Sequence, residues 1–223
     1  RPATKAVDNN IVHTHNVNNT LSWTDHVYGG GGLLQAVKHR VGALRRISNH
    51  IPATYLPQIA SSIIGSKLRY GVSLYAPVRL KDSDPMPNVC KDLQVSLNNA
   101  MRIAARCRLR DRVKICDLHA RTGMNSLNRM SAEDKLSLIW RAVNVPHHPL
   151  SNTVRFVDNS GHRETRAMTR GDLKSESTST LSSRNFPETA IRIWNQSDHM
   201  LRSAATSQSA KRQIRKMSSN LPL

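Results

Sequence analysis

The chain is short of acidic residues, aromatic side chains and long apolar runs, and each shortage narrows what it can be. Against 33 Lys and Arg stand only 15 Asp and Glu, a formal net charge of +18 over 223 residues. A compact domain so one-sided repels itself, and a bound polyanion is the usual relief. Apolar residues make up 38% and aromatics 4%, below the roughly 45–50% apolar share of an ordinary domain. The sequence therefore supports a lean core that does not extend over the full length. No apolar stretch approaches the roughly 20 residues of a helical membrane span. Cys90, Cys107 and Cys116 are odd in number and lack CxxC spacing, so the chain reads as intracellular, with reduced thiols and no disulfide framework. It opens on Arg1-Pro2-Ala3-Thr4, without an initiator Met or a signal-peptide apolar region, and reads as a fragment.

The usual carriers of chemistry are missing as well. Two-metal catalysis needs closely spaced carboxylates, and the sequence has no Asp-Asp pair. Asp82 and Asp84 stand beside Pro85 and Pro87 in what reads as a connection. The His13/His15 and His147/His148 pairs, and Cys107, Cys116 and His119, do not have the spacing of a zinc finger or knuckle. No Gly-x-Ser-x-Gly elbow marks a serine nucleophile. Gly29-Gly30-Gly31-Gly32 is not followed by Gly-Lys-Ser/Thr, so it reads as a flexible joint and not a phosphate loop. Neither a catalytic residue nor a metal ligand is assigned.

What is present is arginine on helices. Arginine outnumbers lysine by more than two to one, and its guanidinium forks onto phosphate in a way that an ammonium cannot. Apolar residues at three- and four-residue spacing predict helices over 33–48, from Thr54 to Gly71, from Val89 past Ala104, and over 115–121, the last stopped by Gly123. Ser131-Ala132-Glu133-Asp134 has the pattern of a capping box opening a further helix that Pro146 ends. Ile11-Val12 and Leu21-Ser22-Trp23 read as short edge strands. Residues 147–185 are poor in large apolar residues and rich in Ser and Thr, the composition of a disordered strap and of the first place a protease cuts. Short helices are expected around 187–194 and 210–217. Trp140 falls on an apolar helix face and reads as core, while Trp194 suits either packing or base stacking. The fold class is therefore mainly α: a small helical bundle with a short N-terminal edge segment and a partly disordered basic C-terminal tail. The segments are 1–32, an edge piece and Gly linker; 33–145, the bundle; and 146–223, the tail.

Two basic clusters are the candidate nucleic-acid contacts. Lys38, Arg40, Arg45 and Arg46 lie on the first long helix. Arg102, Arg106, Arg108 and Arg110 belong to the end of the third. Cations suit a helix C-terminus, but five arginines within residues 102–112 exceed what capping needs.

Five phrases, in order, carry a resemblance. They are Leu21-Ser22-Trp23-Thr24-Asp25-His26-Val27, Arg40-Val41-Gly42-Ala43-Leu44-Arg45-Arg46-Ile47, Ser66-Lys67-Leu68-Arg69-Tyr70-Gly71, Leu97-Asn98-Asn99-Ala100-Met101-Arg102, and Arg184-Asn185-Phe186 with Ile191-Arg192-Ile193-Trp194-Asn195. Together they resemble the region downstream of the palm in jockey-like non-LTR retrotransposon reverse transcriptases. The sequence departs from that family after Trp194-Asn195, where Gln196-Ser197-Asp198 replaces a Leu-Pro. The resemblance implies a thumb-like bundle whose 1–32 segment is a remnant of the palm edge, within an RNA-directed DNA polymerase working in nucleus and cytoplasm. It implies RNA and DNA as partners, in the form of a template–primer duplex, and the palm and fingers of the same polymerase. The magnesium of the intact enzyme, and the aspartates that hold it, would lie upstream, so no cofactor and no activity are expected of this segment alone. The alternative from composition is a free-standing basic nucleic-acid-binding protein without polymerase ancestry.

Overall fold

The computed structural model describes residues 23–108, 110–157, 166–175 and 186–223. They are mainly helical, and an isolated antiparallel bridge between Phe156 and Leu173 is the extended pairing found among them. A short helix α1 (Thr24–Tyr28) leads into α2 (Leu33–Ile47). Next, α3 (Leu56–Ala60), a π turn (Ser61–Gly65) and α4 (Ser66–Arg69) follow without a break. Pro57 sits in the first turn of α3, where its missing N–H has no partner to lose. Gly71, at φ +69°, turns the chain into α5 (Val72–Tyr75). Then come α6 (Asn88–Ala104), α7 (Ile115–Thr122) and α8 (Leu127–Asn144). The C-terminal part holds α9 (Arg166–Thr169), α10 (Phe186–Asn195), α11 (His199–Arg202) and α12 (Ser207–Ser219).

Two apolar clusters share one helix. In the first, Val37, Val41 and Leu44 of α2 meet Leu93, Leu97, Ala100 and Met101 of α6, with Leu56, Ile64 and Leu68 closing over them. In the second, Ile191, Ile193 and Trp194 of α10 and Ala210 and Ile214 of α12 pack with Leu136, Ile139 and Trp140 of α8. Helix α8 contributes its first turn, Leu127 and Met130, to the first cluster and the rest of its length to the second. It is consequently buried nearly all round over its N-terminal half, as expected of a central helix.

The structure revises several local readings. Helix α8 begins four residues before the expected capping box. Ser126 is the cap, its Oγ accepting from the Arg129 N–H at 3.3 Å. Ser131 lies inside the helix, buried, and donates to the Ala76 carbonyl at 2.5 Å. Glu133 is a tertiary hub: it accepts from Arg69 (2.6 Å), Asn125 (2.7 Å) and Ser218 (3.0 Å). Asp134, the acid of the expected Ser-x-x-acid box, lies inside the helix as well and faces the Arg69 guanidinium at 3.5 Å instead of capping a helix end.

Helix α6 ends at Ala104, so only Arg102 of the second cluster is helical. Arg106 adopts φ +52°, and the Cys107 and Arg106 N–H groups close back on the Arg102 and Ile103 carbonyls. This is a Schellman end with arginine in the left-handed position that glycine usually takes.

The four-glycine run is a tight turn rather than a slack joint. A Cβ on Gly32 would stand 2.7 Å from the Val27 carbonyl oxygen, and one on Gly29 would meet that of Asp25. Of the expected edge strands, residues 11–12 and 21–22 lie outside the described residues, and Trp23 is the N-cap of α1.

Trp140 and Trp194 are both core. They are 6% and 1% exposed, with indole N–H groups directed to the Ala204 and Gly171 carbonyls, so neither face is free for a base.

Candidate nucleic-acid interface

Helices α2 and α6 lie side by side with their residue numbers rising together along a shared groove. At one end, a hollow of about 250 Å³ is lined by Lys38, Val41, Asp92, Val95, Ser96 and Asn99. At the other, a cleft of about 310 Å³ is lined by Arg45, Asn49, Asn99, Arg102, Arg106 and Arg108 among others. Asn99 borders both. The groove is electrically polar. Its first end has both Lys38 and Asp92 in its lining, and the Asp92 carboxylate accepts from the Tyr28 hydroxyl at 2.6 Å. That hydrogen bond, with burial and the Asp92 charge adding to it, pushes the Tyr28 phenol up to about 12. The second end has four arginines and no Asp or Glu among its lining residues.

The eight candidate cations divide by what their guanidinium or ammonium groups already do. Arg40 is half-buried on the far side of α2 and donates to the Ile63 carbonyl in the π turn at 2.6 Å. It stands near Lys67, whose pKa is lowered by burial and then by the Arg40 charge. Arg102 donates to the Asp111 and Val113 carbonyls at 3.0 and 3.4 Å, fixing the loop after α6. Arg106 reaches back to the Ser48 and Ile51 carbonyls at 3.3 and 2.7 Å. There it caps the C-terminal end of α2, where a cation is favoured. The side chains of Lys38, Arg45, Arg46, Arg108 and Arg110 are exposed and have no hydrogen-bond or carboxylate partner among the described residues. The structure thus brings Arg45, Arg102, Arg106 and Arg108 together, sets Lys38 at the opposite end, and turns Arg40 away.

Asp84 is a turn residue. Its carboxylate accepts from the Leu80 and Lys81 N–H groups at 2.8 and 3.0 Å, and these bonds hold its carboxyl below the ordinary range. His119 is buried, with Nδ1 2.6 Å from the Met124 carbonyl. Burial depresses its pKa against the raising effect of that bond.

A further set of exposed cations, outside the eight, lies on α12: Lys211, Arg212, Arg215 and Lys216. Their spacing is a readable signal, as is the lack of any Asp or Glu after Asp198. Among the described residues, no cluster of His, Cys, Asp and Glu could hold a metal, and no helix is long and apolar enough to cross a membrane. Comparison with protein-family models, curated proteins and solved structures finds no match to this chain.

Proposed function

We propose that the chain is the part of a retrotransposon reverse transcriptase that follows the palm, and that its α2–α6 groove grips a nucleic-acid duplex by the phosphates. The observation that carries the grip is the arginine end of the groove, four guanidinium groups around one cleft without a lining carboxylate. Arg102 and Arg106 hold that cleft in shape through backbone carbonyls. Arg45 and Arg108, with Arg46 and Arg110 nearby in the chain, supply the unpartnered charge. Contacts of this kind fix position on a duplex and carry no base information, which suits a polymerase that must hold any sequence it copies. The polymerase ancestry rests on the five ordered phrases. A coding frame upstream of Arg1 with an aromatic-x-Asp-Asp turn supports it, and an unrelated frame there favours a free-standing basic binder.

The grip is tested by salt. Each phosphate neutralised steepens the fall of log affinity with log salt by about 0.9 on B-DNA. Replacing Arg45, Arg46, Arg108 and Arg110 by Gln should flatten that slope by about 2–4 and weaken all sequences alike, with the helical circular dichroism unchanged. A slope equal to that of the parent chain overturns the assignment.

A further inference from the structure

Helix α12 has two faces of opposite character. Ala210, Ile214 and Ser218, four residues apart, are buried against α8. On the outer side, Lys211, Arg212, Arg215 and Lys216 are all exposed. At 3.6 residues per turn these four fall within an arc of about 140°. None has a carboxylate or side-chain hydrogen-bond partner among the described residues, and residues 199–223 contain no Asp or Glu. A solvated basic helix face ordinarily interleaves acids at three- and four-residue spacing. This one does not.

The face also borders a polar cleft. Lys211 and Arg215 line a hollow of about 530 Å³ together with Asn125, Ser137 and Ser219. Glu133 is in its wall, but its charge is engaged by Arg69 at 2.6 Å and its second oxygen accepts from Asn125 and Ser218. The cleft therefore offers hydroxyl and amide groups beside two free cations, a mixture that fits a sugar-phosphate chain.

We infer that the outer face of α12, with the cleft beside it, is a second nucleic-acid contact that binds the sugar-phosphate backbone, separate from the α2–α6 groove. An anionic membrane is the other polyanion to weigh. A basic helix lies on a bilayer by burying its apolar face among the acyl chains. The apolar face of α12 is already buried on α8, which leaves cations, serines and Gln208 outward. A phosphate backbone asks for no apolar face.

The second contact rests on the reading that this chain is a nucleic-acid binder, and the test keeps the two surfaces apart. The full chain is compared with two variants by anisotropy of a labelled DNA duplex over a range of salt concentrations. One variant carries Lys211→Gln, Arg212→Gln, Arg215→Gln and Lys216→Gln; the other carries Arg45→Gln, Arg46→Gln, Arg108→Gln and Arg110→Gln. Glutamine keeps helix propensity close to that of Lys and Arg, and circular dichroism checks that each variant remains folded. The α12 variant should lose about 2–4 from the salt slope, and a Lys-only version of the same four positions should keep it. A loss in the α12 variant alone supports the second contact and removes the first. An unchanged slope in the α12 variant, with a loss in the other, overturns the second contact and leaves the groove. A parent chain that shows no salt-dependent binding overturns both. Binding to phosphatidylserine vesicles that the α12 substitutions abolish, with duplex binding untouched, also overturns it.

Discussion

Lys135 is 1% exposed, and its ammonium nitrogen lies 2.7 Å from the Ala76 carbonyl oxygen, which Ser131 also reaches. One shared acceptor does not replace the hydration of a full charge. Burial accordingly lowers the pKa from 10.5 to about 7, with the Cys90 thiol raising it and Arg192 lowering it. Below about 7 both folded and unfolded chains hold the proton, and the folded state carries the burial cost in full. Above 10.5 neither does. Between these limits the unfolded chain binds more protons, so stability rises with pH across that window. The Lys135→Met variant removes the charge and leaves Ser131 on the carbonyl. It should be more stable than the parent at pH 7, by an amount on the order of 4 kcal/mol, and should lose the rise toward pH 10. Urea melts at pH 7 and pH 9.5 check this, and an identical pH dependence in both proteins would refute it. No local pattern reveals such a residue. Lys135, Ser131 and Glu133 are polar, and they are buried because their partners come from residues 69, 76, 125 and 218. The same limit applies to the arginines. Charge and spacing pick out the clusters, but the carbonyls that occupy Arg40, Arg102 and Arg106 lie between 9 and 58 residues away along the chain.

Helices declare themselves when their apolar stripe is local and one-sided. This is why α2, α10 and α12 are legible in the sequence to within a residue or three of their ends, why the start of α6 is legible too, and why Gly123, at φ +63°, stops α7 where expected. Helix α8 hides its start because both of its sides are covered, and the loop after α6 hides because Arg106 takes a conformation that glycine usually supplies. The glycine run between α1 and α2 shows composition misleading in the other direction. Four glycines suggest slack, yet Gly32 donates to the Gly29 carbonyl at 2.7 Å and the turn admits no Cβ at position 32. Gly30, by contrast, has no positive φ, and a Cβ added there would meet nothing within 4 Å. Gly30→Ala should therefore be neutral or stabilise by about 0.4–1 kcal/mol through the unfolded chain, while Gly32→Ala should destabilise by more than that. Equal melting temperatures for the two variants would restore the slack-joint description.

At the scale of the molecule, the described C-terminal helices are part of the same packed body as α8. Trp194 is 1% exposed, Asn195 brackets the Leu173 backbone with two bonds of 2.8 Å, and Arg202 ties Asp172 (2.6 Å) to the Trp194 and Asn195 carbonyls. The closing Trp-Asn phrase is thus a structural clasp. The Ser/Thr composition of residues 147–185 still marks the first protease cuts there. The pieces on either side of a cut should nonetheless remain associated, because separating them exposes Ile191, Ile193, Trp194 and Ile214 along with the face of α8 they cover. Gel filtration of the nicked chain should give one peak at the parent position and two bands on a denaturing gel. Two peaks under native conditions would show that the second cluster does not hold.

Because α8 belongs to both clusters, its neighbours are made at different times. The residues of α2 through α6 have left the ribosome before α8 emerges, but those of α10 and α12 follow 42 or more residues after it ends. During that interval Leu136, Ile139 and Trp140 lack the cover of Ile191, Ile193, Trp194 and Ile214, and a nascent chain in this state presents a sticky stripe to other chains and to chaperones. Synthesis stalled before Trp194 leaves a product prone to aggregate, even though every residue of its first cluster is already in place.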